Sequence, residues 1–317
     1  MSHLVNHCKT DALREDNTLH VVAVISNPAR YNSRYRLARD FIDRMENTAN
    51  VQLHLVEAAH GDHHHEVTHH GQSNHLQLRI DTHAWVKENM INLGVRHLLP
   101  LGWRYLSWLD ADIEFRDPNW AQETMHQLQH FAVVQPWSHC ADLNFNGGIS
   151  SLHTSFGCTD SKGTRTTQGP GGYTYGHTGF GWACTRDFWE QVEGLPDHCI
   201  LGSGDHHLAL GCVGECERTI HTQMLPSYRR KLLEWQSRAV RATLGEVGFV
   251  EGRIEHYYHG NKKQRYYKER WQILVDHKFD PDVDLMRDAQ GVIKIVGKPQ
   301  LEAAMRKYHR SRSEDSI

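Results

Sequence analysis

Residues 19–26, LHVVAVIS, are apolar on both faces of an extended chain, and only a strand covered on both sides suits such a run. A polar loop follows at 27–34. Next comes a helical pattern to about Met45, with Leu37, Phe41 and Met45 on one face. Residues 51–57, VQLHLVE, read as a second strand. A strand returned by a helix to another strand pairs with it in parallel, so the chain is expected to be α/β. The spacing predicts a central, mostly parallel sheet flanked by helices, with a C-terminal helical extension.

Downstream, 76–80 alternates like a short strand and 83–94 looks helical, ending at Gly94. Residues 105–109 and 131–136 read as strands, with helices over 120–130, 228–244 and 263–275. Residues 157–176 hold six glycines and almost no aliphatic residue, so they read as a loop that could close over a ligand. After about Tyr308 the polar tail is expected to be disordered.

The strand at 105–109 runs into Asp110-Ala111-Asp112. Residues two apart on an extended chain point the same way, so both carboxylates can face one point at the strand end. Two close carboxylates repel, and a divalent cation relieves that cost while taking oxygen ligands. The bland alternative is a strand ending in a polar turn.

The 317 residues carry a formal charge of −3, which excludes a strong overall field for nucleic acid. The count of 26 His makes charge arguments pH-sensitive. Seven of them lie between His60 and His75, a tract that suits metal binding or, more simply, a solvated loop. The seven Cys are scattered, odd in number and without a Cys-x-x-Cys pair, which points to reduced thiols and a cytoplasmic protein. Residues 1–18 lack the apolar run of a signal peptide, and no stretch is apolar for the length of a bilayer.

Two further constellations carry chemistry. Residues 177–186, HTGFGWACTR, interleave small and aromatic residues, so backbone can approach a ligand while rings wall it. His177, Gly179 and Trp182 are the substrate-binding candidates there. Gly202-Ser203-Gly204-Asp205 precedes a helical run, which sets Asp205 near a helix N-terminus or makes it a plain cap. Gly204 and His206 flank it and join the substrate-binding set. The third piece, HYYHGNKKQRY from His256, combines imidazole with cations: His259 suits a third metal ligand, Lys262, Lys263 and Arg265 a diphosphate.

In this order the pieces resemble a metal-dependent glycosyltransferase of the A fold with an Asp-x-Asp motif. The carriers are AVISNPARYNSR, WLDADIEF, the HTGFGWACTR…GLPDHCILGSGDHHLAL block and HYYHGNKKQRYYKERW. The last two resemble family-2-like enzymes of bacteria and their phages. The resemblance spans about Val21 to Asp288 and implies a catalytic domain over 19–288. A nucleotide-sugar half covers 19–115, an acceptor half 116–260 and a closing helical segment 261–288. A polar segment precedes it at 1–18, and an extension with a disordered tail follows at 289–317.

The resemblance also implies roles. Asp110 sits near the ribose and metal; Asp112 and His259 ligate Mn²⁺ or Mg²⁺; Asp205 is the base that deprotonates the acceptor. Asn27, Arg30 and Arg34 hold the nucleotide, and Lys87 and Asn92 contact the donor. The Ser-Gly-Asp sequence departs from the Glu-Asp pair common in that class, which bears on Asp205. The implied activity is transfer of a hexosyl or N-acetylhexosaminyl group from a nucleotide-diphospho-sugar to a glycan, protein or modified-DNA hydroxyl, with inversion. The competing functions are a nucleotidyltransferase making a nucleotide sugar and a non-catalytic carbohydrate-binding protein. The first is disfavoured because 27–34 contains no glycine.

Overall fold

The computed structural model describes residues 17–163, 176–260, 265–266 and 269–315. In chain order it opens with β1 (Leu19–Ser26), α1 (Asn32–Glu46), β2 (Val51–His60), β3 (His75–Ile80) and α2 (Lys87–Leu98). Next come β4 (Tyr105–Leu109), β5 (Ile113–Phe115), α3 (Trp120–Gln127), β6 (Val133–Gln135), β7 (His139–Leu143), β8 (Ile149–Thr154) and α4 (Phe156–Ser161). Then follow β9 (Gly181–Thr185), α5 (Arg186–Val192), α6 (Gly204–Cys212), α7 (Pro226–Thr243), β10 (Gly248–Phe249) and β11 (Arg253–His256). The chain closes with α8 (Trp271–Asp276), β12 (Leu285–Arg287), β13 (Ile293–Ile295) and α9 (Pro299–Ser311).

The main sheet has the order β10-β6-β9-β4-β1-β2-β3. Strands β4, β1, β2 and β3 are parallel neighbours, while β9 runs antiparallel to both β4 and β6. The expected α/β architecture with a mostly parallel sheet flanked by helices is what the chain adopts. In β1 the alternation decides which layer each side chain enters: Val21, Ala23 and Ile25 pack toward α1 and α3, and Val22 packs toward α2, α5 and α7.

Helix α7 shows the local logic. Pro226 opens it, where a missing N–H costs nothing, and Tyr228, Leu232, Trp235 and Ala239 recur every three to four residues on the buried face.

A second sheet has the order β5-β11-β7-β8, and residues 110–112 connect its β5 to the carboxyl end of β4. Its register positions the site. Strand β11 sets His256 opposite Ile113 of β5 and opposite Asp142 of β7, and β7 sets Asp142 opposite Ser151 of β8.

Several expectations shift. Helix α2 starts at Lys87 and runs through Gly94 to Leu98, because Gly94 packs against Val22 and Val56 instead of ending the helix. The aromatic helix reduces to Trp271–Asp276 among the described residues; 261–264 and 267–268 lie outside them. The loop expected at 157–176 begins inside α4, capped by the Ser155 hydroxyl, and 164–175 lie outside the described residues. The tail does not dissolve after Tyr308: α9 continues to Ser311, and Glu314 is buried. The histidine tract is a loop wrapped on the buried Glu57 carboxylate, which accepts from the backbone N–H groups of Glu66, Val67 and Thr68.

Candidate active site

Asp112, His256 and His259 bring one ligand atom each to within 4.8 Å of one another. The β11–β5 pairing does this across more than 140 residues, and Tyr257 N–H fastens the turn by donating to the Asp112 carbonyl at 2.9 Å. The Asp112 Oδ2 lies 2.9 Å from His259 Nε2 and 3.7 Å from His256 Nε2. Burial would raise the Asp112 carboxyl, but the two imidazoles outweigh it and hold the group well below the usual carboxylate range. Its other oxygen, Oδ1, is buried with no hydrogen-bond partner among the described residues. A carboxylate that sets one oxygen beside two imidazole nitrogens and leaves the other unpartnered among the described residues fits a divalent cation in its donor types. Behind the imidazoles stand more carboxylates. Asp142 Oδ1 lies 2.7 Å from His256 Nδ1, and Glu314 Oε2 lies 3.4 Å from His259 Nδ1.

Asp110 lies outside this cluster. Its Oδ1 takes the Lys87 ammonium at 2.6 Å, and the same ammonium reaches Asp205 Oδ1 at 3.5 Å. Lys87 thus bridges the end of β4 to the first turn of α6. Burial works against its charge, yet Asp110 and Asp205 more than compensate and raise its pKa. Asp205 is itself raised, by burial first, with Lys87 opposing and Asp110 adding to the shift. Below them Glu88 is 4% exposed, and burial pushes its carboxyl up to about 8 against the Lys87 charge. Gly204 leaves room for the Glu88 carboxylate, which a Cβ at this position would displace.

Both groups line one cleft of about 1370 Å³ at the carboxyl ends of the parallel strands. One wall is aromatic: His177 stacks on Phe180 with ring centroids 4.3 Å apart and planes within 7°. Phe180 is left-handed at φ 75° and its carbonyl accepts from Asp110 N–H at 2.8 Å, which couples the wall to the carboxylate strand. Of the residues singled out in the sequence, His177, Gly179, Gly204, Asp205, His206, His259, Arg265, Lys87 and Arg34 line the cleft. Burial, with Arg270 and Arg218 adding, lowers His206 to about 4, so it stays neutral.

Other candidates sit elsewhere. Trp182 is wholly buried in the core with its indole N–H on the Thr178 carbonyl, because its position on β9 faces α5, not the cleft. Asn92 ties α2 to the Leu195 backbone. Asn27 closes its own turn on Tyr31. Arg30 lies outside the cleft, 4.0 Å from Glu66. Arg34 reaches the cleft but is spoken for by Glu314 and the Ser26 carbonyl. Lys262 lies outside the described residues.

His256, Glu88, Asp142 and Glu314 escaped the sequence reading. His256 had a signal, since it stands three residues before His259. The others had none: Glu88 is a helix residue beside a lysine, Asp142 lies in a short strand, and Glu314 sits in a polar tail.

No protein-family model matches the chain, and no curated protein matches it. Solved structures do. The chain is similar to Drosophila beta-1,4-galactosyltransferase 7, solved with manganese, UDP-Gal and xylobiose: 12% identity over 91% of this chain and 98% of that one, TM-score 0.40. It is similar to S. aureus TarS at 9% identity over 82% and 68% of the two chains, TM-score 0.42. It is also similar to 4-diphosphocytidyl-2C-methyl-D-erythritol synthase of Anaerococcus prevotii at 9% identity over 75% and 90%, TM-score 0.32.

Proposed function

We propose that this chain is a metal-dependent glycosyltransferase of the A fold, moving a sugar from a nucleotide-diphospho-sugar to an acceptor hydroxyl with inversion. One observation carries the reading. An Asp-His-His cluster with both histidines buried and a lysine-bridged pair of aspartates line the same cleft at the carboxyl end of the parallel strands.

Asp112, His256 and His259 would hold Mn²⁺ or Mg²⁺. When bound, such an ion supplies Lewis-acid stabilisation of a departing diphosphate. The remaining work belongs to the chain. Arg265 stands beside His259 and adds a fixed positive charge near the leaving group. Lys87 holds Asp110 and Asp205 in register. Asp205, raised by burial, accepts the acceptor hydroxyl proton as the oxygen attacks the anomeric carbon, and direct attack inverts that centre. The stacked His177–Phe180 wall offers the sugar an apolar face and keeps water from it.

The test is turnover on a panel of nucleotide sugars with Mn²⁺, scored by product. Nucleoside diphosphate is expected; pyrophosphate would assign the chain to nucleotidyl transfer instead. Asp205→Asn should lower kcat by about 10²–10⁴-fold with nucleotide affinity intact. Near wild-type turnover by that variant removes Asp205 as the base. Asp112→Ala should abolish the Mn²⁺-induced rise in melting temperature, and an active, metal-independent variant would remove the metal from the reaction.

A further inference from the structure

Asp142 is 2% exposed, is no ligand of the Asp112–His256–His259 cluster, and lies one strand away from it. The β11–β7 register sets it directly opposite His256, and the β7–β8 register sets Ser151 directly opposite Asp142. Side chains at paired positions share a face, so Ser151, Asp142 and His256 form a row leading to the cluster.

The two oxygens of Asp142 divide their partners. Oδ1 lies 2.7 Å from His256 Nδ1. Oδ2 accepts from the Ser151 hydroxyl at 2.7 Å and lies 2.5 Å from His153 Nε2. His153 in turn lines the cleft, 5.0 Å from the His177 ring.

A carboxylate can only accept, so the bond at His256 requires the proton on Nδ1. That leaves Nε2, the nitrogen on the Asp112 side, as the position for a metal. Ser151 and His153 hold the second oxygen of Asp142, which restrains the carboxylate in this orientation.

We infer that Asp142 is a positioning residue: through its hydrogen bond to Nδ1 it selects the tautomer and ring orientation in which His256 Nε2 ligates a divalent cation. The inference rests on the metal-site reading above and deepens it. Partners of this kind typically change metal affinity by about 10–100-fold when removed. Ser151 and His153 extend the hydrogen-bonded row to the cleft, where the His153 ring meets the His177 ring of the wall with centroids 5.0 Å apart.

The experiment measures Mn²⁺ dissociation constants by electron paramagnetic resonance of free Mn²⁺, for the wild type and Asp142→Asn, with melting temperatures alongside. Asp142→Asn is expected to bind Mn²⁺ about 10–100-fold more weakly. A double-mutant cycle with His256→Gln should show that the Asp142 change adds no further loss once the ring is gone. If Asp142→Asn does not fold, nitrogen NMR of histidine-labelled wild type loaded with Mg²⁺ reads the tautomer directly. A proton on His256 Nδ1 supports the inference, and a proton on Nε2 overturns it. Equal Mn²⁺ affinity in wild type and Asp142→Asn, with only the melting temperature lowered, also overturns it. A wild type that binds no Mn²⁺ instead sinks the metal-site reading itself, which separates the two failures.

Discussion

At the scale of single residues, Glu88 is an acid held almost wholly buried at the edge of the cleft. Its folded pKa is pushed up to about 8 from an ordinary 4.5, mainly by burial. Below about pH 4.5 the group is protonated in both folded and unfolded chains. As pH rises toward 8 the unfolded chain releases the proton first, so folding loses free energy across that window. At about 1.4 kcal/mol per pKa unit the loss is a few kcal/mol at most. Glu88→Gln should therefore melt higher than wild type at pH 8 and equally at pH 4. An unchanged difference across that range would mean that Glu88 ionises freely in the fold. Near Lys87 and Asp205, the retained acid marks a site where stability is given up for a polar floor under the cleft.

At the scale of elements, helix α2 shows how packing overrides a local signal. Glycine near the end of an apolar periodic run reads as a stop. Here Gly94 lies mid-helix, and a Cβ would stand 2.8 Å from Val56 Cγ2 and 3.0 Å from Val22 Cγ1. The missing side chain lets α2 sit close on β1 and β2, which in turn sets Lys87, at the helix start, against the end of β4. Gly94→Ala gains about 1 kcal/mol of helix propensity, but overpacking against stiff β-branched side chains costs about 1–3 kcal/mol. A lowered urea midpoint is expected for Gly94→Ala and none for the turn control Gly102→Ala, whose added Cβ meets nothing within 4 Å. A stabilised Gly94→Ala would show that the helix can lift from the sheet at no cost.

At the scale of the whole molecule, Glu314 and Asp315 fasten the far end of the described chain to helix α1. Glu314 pairs with Arg34 at 2.5 Å and with Arg312 at 2.8 Å, and the Asp315 carboxylate accepts from the first N–H groups of α1. Arg34, with burial opposed mainly by Glu314, is raised, and Glu314 is driven far below the usual carboxylate range against its burial. Breaking a buried pair leaves a charge uncompensated and costs about 3–5 kcal/mol. Glu314→Gln should lose stability of that order in denaturant titration, with Arg34 left facing a neutral amide. A loss under about 1 kcal/mol, the range of exposed pairs, would place this contact at the surface in solution.

The parts of the fold legible in the sequence were those written in short-range pattern. The continuous apolar run in 19–26, the Leu37-Phe41-Met45 face and the apolar run before Asp110 are each local pattern, and each forms where expected. The carboxylates at the strand end and the His259 imidazole could likewise be picked out of the sequence one residue at a time. Tertiary structure alone decided which of these groups meet. It turned Trp182 into the core, separated Asp110 from Asp112 by giving the first to Lys87, and added His256, Asp142 and Glu314 to the neighbourhood of His259. The physical reason is that a sheet register pairs residues more than a hundred positions apart. Local propensity fixes the face a side chain occupies, while partner strands and packed helices fix what stands opposite it.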